Sequence, residues 1–143
     1  MNDFNLSENF SFFELTATSK TEFLELNRME GMNFIIPLSV LCEEILEEVY
    51  KMYGVKPVVT SAYRCKILND NLRGSAASQH LNGEAADFLL PGVSCAEVFE
   101  KIKNSGLAYG QLILEKSGGK KWVHASLGAP YRPAEKCGQS FIL

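Results

Sequence analysis

The strongest constraint on the fold lies in residues 38–53. Leu38, Leu41, Cys42, Ile45, Leu46, Val49 and Met52 recur there at helical spacing. Glu43, Glu44, Glu47 and Glu48 fall between them, which reads as an amphipathic helix with a solvated acidic face. Gly54 stands where such a helix stops. An apolar stripe of this kind must be laid against another layer, and the rest of the chain supplies short strands. Residues 56–62 read as a strand entering a turn, and 84–90 as a strand stopped by Pro91 and Gly92. Residues 110–115 and 121–127 read as a hairpin whose loop of several residues contains Gly118 and Gly119. Between them, 94–104 fits a second amphipathic helix, with Ser94 as cap and Ala96, Val98, Phe99 and Ile102 inward. The expected fold class is α+β, a small antiparallel sheet flanked by helices.

The remaining segments are shorter. Ser11 and Glu14 have the spacing of a capping box, so a short helix is expected near Ser11. A helical turn is expected within 19–25, with Gly31 and Pro37 as breaks after it. Residues 63–72 fit a short helix, 74–83 a Gly/Ser/Ala-rich loop, and 139–143 an edge strand. With 143 residues and no repeat or linker, the chain reads as one domain, 1–143.

Charge and composition exclude several classes. A net charge of -3 gives no basic footprint for nucleic acid and no polybasic membrane anchor. The apolar runs are too short to span a bilayer. The first fifteen residues lack a basic segment followed by an apolar one, so no secretory signal is expected, and synthesis in the cytoplasm follows. Cys42, Cys65, Cys95 and Cys137 form no CxxC pair and read as reduced thiols.

The chain has two histidines, so a histidine metal site would have to use both. His80, Asp87 and His124 together make a three-ligand set suited to zinc with a fourth position left open, the arrangement of a catalytic centre. His80 lies in the Gly/Ser loop, Asp87 in one strand and His124 in another; adjacency of those strands would bring the last two together. Glu115 ends the apolar stretch Gln111-Leu112-Ile113-Leu114 and is the candidate general base for an attacking water. Arg64 follows a strand at a turn and suits a substrate carboxylate, while Ser78 and Gln79 flank His80. Each residue alone has a bland alternative. Taken singly, a strand histidine such as His124 is more often structural, Asp87 reads also as a turn cap, Glu115 as the start of a turn, Arg64 as a surface partner of Asp70, and Trp122 more often as core.

Taken together the motifs resemble a known family. Ser61-Ala62-Tyr63-Arg64, Asn69, Ser78-Gln79-His80-Leu81-Asn82-Gly83-Glu84-Ala85-Ala86-Asp87 and the later Trp122-Val123-His124-Ala125-Ser126 look like the signature of the zinc D-alanyl-D-alanine carboxypeptidases. That family includes phage L-alanyl-D-glutamate endopeptidases and shares its fold with the signalling domain of hedgehog proteins. The resemblance runs from about residue 10 to 132. It implies a hedgehog/D,D-peptidase-like fold, with His80, Asp87 and His124 as ligands of Zn2+ and Glu115 as base. It also implies that Arg64 holds a substrate carboxylate and that Ser78 lies near substrate, and Trp122 is taken as a third substrate-binding candidate. Several relatives carry an acidic base two or three residues before the last ligand. Here Lys121 and Trp122 stand there, so the role passes to Glu115, on the strand that resembles the glutamate-bearing strand of other members.

The function implied is a zinc peptidase cutting amide bonds of peptidoglycan stem peptides, as a monomer, in the manner of a phage or prophage endolysin that reaches the wall after release. Two alternatives stand beside it: a non-catalytic zinc-containing module that binds cell wall or protein, and a structural phage component.

Overall fold

The computed structural model describes residues 1–128 and 139–142. Its first helix, α1 (Phe12–Leu15), begins at the expected capping box: Ser11 Oγ accepts from Glu14 N–H at 3.3 Å and Glu14 accepts from Ser11 N–H at 2.7 Å. A 3-10 turn (Thr21–Phe23) leads into α2 (Leu24–Gly31). Another 3-10 turn (Met32–Phe34) joins α2 to α3 (Ile35–Leu41), a π-helical turn (Cys42–Leu46) follows, and α4 (Glu47–Tyr53) completes the run. Gly54 ends it at φ 63°, its N–H donating to Tyr50 O.

Helical structure therefore starts well before Leu38; Gly31 ends α2 where the chain passes into the 3-10 turn, as expected, whereas Pro37 makes no break. Pro37 lies in the first turn of α3, where a backbone N–H has no helical partner to lose. The stripe is as expected: Leu38, Leu41, Cys42, Ile45, Leu46 and Val49 are fully buried. Each such side chain contributes about 1.5–3 kcal/mol on leaving water.

The acidic face needs one correction. Glu43 and Glu44 are exposed, and Glu48 pairs with Lys51 at 3.0 Å, but Glu47 is buried. The N-terminal loop folds over that flank of the helix. Ser7 Oγ, Asn9 N–H and Asn9 Nδ2 all donate to the Glu47 carboxylate, at 2.7, 2.8 and 2.8 Å. A buried carboxylate is tolerated because its oxygens are hydrogen-bonded.

The strands are β1 (Val58–Ser61), β2 (Ala85–Leu89), β3 (Gln111–Ser117), β4 (Lys120–Ser126) and β5 (Gln139–Ile142), ordered β1-β2-β4-β3-β5. The first four pair antiparallel, as expected; β5 takes the edge beside β3 but runs parallel to it. Leu143, expected in that edge strand, and Cys137, expected as a thiol, lie outside the described residues. Cys42, Cys65 and Cys95 are free thiols. The β3–β4 turn is shorter than expected. Ser117 pairs with Lys120 across just Gly118 and Gly119, at φ 56° and 78°, the positive values a two-residue hairpin of this hand requires.

Two further helices flank the sheet: α5 (Lys66–Asn71) and α6 (Cys95–Ser105). Ser94 Oγ caps α6 by accepting from Glu97 N–H, and Val98, Phe99 and Ile102 are buried, but Ala96 faces solvent. One sheet face carries Ala86, Phe88, Leu112, Leu114, Val123 and Ala125 into the core shared with the helices. Residues of opposite parity on the same strands, Asp87, Ile113, Glu115, Trp122 and His124, therefore emerge on the other face. Among the described residues no helix is long and apolar enough to cross a membrane.

Glu47→Ala strands three donors and is expected to destabilise the fold by about 2–3 kcal/mol, against less than about 0.5 kcal/mol for Glu48→Ala, as read from urea unfolding midpoints. Burial pushes the Glu47 carboxyl up, but bonds from Asn9 and Ser7 outweigh it and hold it below the usual range. The contribution of Glu47 is therefore present above its unfolded value of about 4.3 and fades as pH falls through the lower folded value.

Candidate metal centre and cleft

Strand register sets the first pair of site residues. The β2–β4 ladder places Asp87 directly opposite His124, and the β3–β4 ladder places Glu115 opposite Trp122, one step along the same face. Asp87 Oδ1 lies 2.9 Å from His124 Nδ1, and Glu115 Oε1 lies 3.9 Å from that nitrogen.

His80 arrives from outside the sheet. The stretch expected as plain loop contains a 3-10 helix, Gln79–Asn82, capped where Ser78 Oγ accepts from His80 N–H and ended by Gly83 at φ 69°. Gln79 Nε2 donates to Leu127 O at 2.8 Å, tying this turn to the end of β4. The His80 ring is oriented by the backbone: Nδ1 lies 2.6 Å from Ala62 O. A carbonyl only accepts, so Nδ1 carries the proton and Nε2 presents its lone pair to the site. That Nε2 lies 3.3 Å from Asp87 Oδ1.

His80, Asp87 and His124 thus bring one ligand atom each to within 4.8 Å of one another. Two imidazoles and a carboxylate are the donor set zinc prefers, and the Nδ1–H to carbonyl bond of His80 is the usual way a ligating ring is held. The residues fit the metal on geometry and on chemistry.

The site opens into a cleft of about 670 Å³ lined also by Arg64, Ser78, Glu115 and Trp122. Burial pushes the Asp87 carboxyl up, yet the bond from His124 and the imidazole of His80 beside it prevail and hold it well below the usual range. Glu115 goes the other way. Half-burial and then the Asp87 charge raise it, with His124, His80 and Arg64 only partly offsetting them. Two carboxylates in one cleft are thereby driven apart, one firmly ionised and one poised to exchange a proton. Burial draws the Arg64 guanidinium down, opposed by the charges of Asp87 and Glu115.

Arg64 is not the partner of Asp70, which pairs with Lys66 at 2.7 Å. Its Nε is buried and, among the described residues, has no hydrogen-bond partner; the same holds for Trp122 Nε1. Trp122 accordingly lines the cleft and is only partly buried. Ser78 lines it too, with its oxygen already accepting from His80 N–H.

A donor triad of this kind beside a raised carboxylate, on the open face of an α+β sheet, defines a metallopeptidase class of site. The chain belongs to the peptidase M15 family, whose pattern matches residues 10–126. This is the zinc D-alanyl-D-alanine carboxypeptidase family that the two motifs resemble, and at family level it means a zinc-dependent peptidase acting on peptidoglycan. No curated protein matches the chain.

Gln79, singled out in the sequence as flanking His80, and Asn69, part of the family signature, prove to be supports of the site, whereas Asn27 and the Ala62 carbonyl were not anticipated. Asn27, Gln79 and the Ala62 carbonyl hold site elements in place through hydrogen bonds. So does Asn69, whose Nδ2 donates to Ser75 O while Gly74 packs against its side chain. For Asn27 the available signal was a weak helix former inside a helix; a backbone carbonyl leaves none.

A Cβ at Gly74 would collide with Asn69 Oδ1, and Asn69 is fully buried. Gly74→Ala is expected to destabilise the protein by about 1–3 kcal/mol, seen as a lower thermal midpoint.

Proposed function

We propose that this chain hydrolyses amide bonds in the stem peptides of bacterial peptidoglycan, with His80, Asp87 and His124 holding Zn2+ and Glu115 as general base. The observation that carries the reading is the convergence of both imidazoles on Asp87 with a raised glutamate 3.9 Å from His124 Nδ1. Zinc, when bound, supplies polarisation of the scissile carbonyl and acidification of the attacking water. Glu115 accepts the water's proton as attack proceeds and returns it to the leaving amine. The environment of Glu115 suits both steps, because a raised carboxyl is a stronger base and a readier donor near neutral pH. Arg64 offers its guanidinium, whose Nε has no partner among the described residues, to a carboxylate of the peptide, and Trp122 contributes an indole N–H and an apolar wall. Ser78 keeps its hydroxyl hydrogen for substrate while its oxygen holds the His80 turn. The protein acts as a single domain and as a monomer, and its setting is phage or prophage lysis: synthesis in the cytoplasm and action on the wall after release.

The deciding experiment is mass spectrometry of purified peptidoglycan after incubation with zinc-loaded protein, beside a chelated control. Chelator-sensitive fragments establish the peptidase and name the bond cut. Bound zinc without fragments from intact or digested wall assigns the fold to a binding module instead.

Three variants separate the roles. Glu115→Gln is expected to keep zinc and lose about 10²–10⁴-fold in kcat, whereas Asp87→Ala or His124→Ala is expected to lose zinc itself, as measured by metal content after dialysis. The rate of the unaltered enzyme should fall as pH drops through the raised Glu115 pKa, because the protonated carboxyl cannot accept a proton. Persistence of that acid limb in Glu115→Gln would reassign the base.

A further inference from the structure

Arg64 reaches into the cleft with its Nε unpartnered, and no ion pair involving its guanidinium occurs among the described residues. The hydrogen bonds that fix Arg64 among the described residues are therefore those of its own backbone and its neighbours'. The backbone on both sides of Arg64 is gripped by one side chain. Asn27, fully buried on α2, donates from Nδ2 to Tyr63 O at 3.0 Å and accepts at Oδ1 from Cys65 N–H at 2.7 Å. The same Nδ2 also donates to Thr16 O at 2.8 Å, which anchors the clamp to the end of α1. Both amide protons and one oxygen lone pair are then engaged, so the Asn27 amide has a single sensible orientation. The clamped segment touches the metal centre as well: Arg64 N–H donates to His80 O at 3.1 Å, and Ala62 O receives His80 Nδ1.

We infer that Asn27 is a positioning residue for the reaction, presetting Arg64 to meet the substrate carboxylate. The inference rests on the role of Arg64 given above, but the clamp itself is independent of any substrate. An asparagine is suited to this task where aspartate or leucine is not. It offers donor and acceptor in one plane, matching a carbonyl and an N–H that flank a single residue. A guanidinium carried on a backbone fixed in advance loses less freedom on binding than one on a mobile loop, which is the benefit of preorganisation.

The test has two arms. In zinc-loaded, 15N-labelled protein, the Nε–H resonance of Arg64 is assigned by its loss in Arg64→Lys. Asn27→Ala is expected to move it toward the position of exposed arginine while that of Arg73 stays in place. An unmoved Arg64 signal in a folded Asn27→Ala protein overturns the inference, whether or not the protein cuts peptidoglycan. In the second arm, kcat/KM is measured on soluble muropeptides for Asn27→Ala, Arg64→Ala and the double variant. Asn27→Ala alone should lose up to about a hundredfold, mostly in KM, and less than about twofold in the Arg64→Ala background, since neighbours acting through one group are non-additive. Additive losses would show a merely structural role. Asn27→Asp keeps the size and the acceptor toward Cys65 and serves if Asn27→Ala does not fold. Failure of both to fold would assign Asn27 to the fold as a whole and overturn the positioning role.

Discussion

Everything at this site depends on one stretch of antiparallel pairing, the β2–β4 ladder. It sets Asp87 against His124 and sends their side chains to the face that the helices leave open. A slip of one residue would turn both into the core and expose Ala86 and Val123 in their place. The apolar residues that alternate with the ligands prevent that slip, because Ala86, Phe88, Val123 and Ala125 are all buried against the helices. Core packing and ligand placement are therefore one constraint read on two faces.

The third ligand is held by different means. His80 lies on one turn of 3-10 helix, too short to be stable alone, and the turn is fastened at each end. Ser78 caps it, Gln79 ties it to Leu127, and the His80 ring bonds to Ala62 O, so the ring is aimed before any metal arrives. Asn27 and Asn69 continue this bracing outward to the segments that carry Arg64 and the wall of the cleft. Buried amides suit such work. They satisfy backbone groups at bends where no helix or sheet partner exists, and they add no charge to a site already crowded with carboxylates.

The electrostatics follow from where the two carboxylates sit. Asp87 lies between two imidazoles and remains ionised despite its burial. Glu115 is further from them, near Asp87, and is raised. One residue type thus fills two chemical roles because position, not identity, sets its affinity for a proton. The cleft supplies the remaining polarity as donors on Arg64 and Trp122 that have no partner among the described residues, which is what an acceptor-rich peptide needs to displace water.

The sequence by itself determined the helical stripe of residues 38–53, the capped helix after Ser94, the strand faces and the two motifs carrying His80, Asp87 and His124. Those are local patterns, written in periodicity and spacing, and a side chain's face follows from its parity. Tertiary structure alone decided that β2 and β4 are neighbours, that the β3–β4 turn has two residues, and that β5 joins parallel at the edge. It also decided that Glu47 is buried while Glu43, Glu44 and Glu48 are not, because only the folded N-terminal loop brings Ser7 and Asn9 to that one carboxylate. Asn27 belongs to the same group. Its partners, Thr16, Tyr63 and Cys65, are distant in sequence and offer backbone atoms, which no residue pattern records.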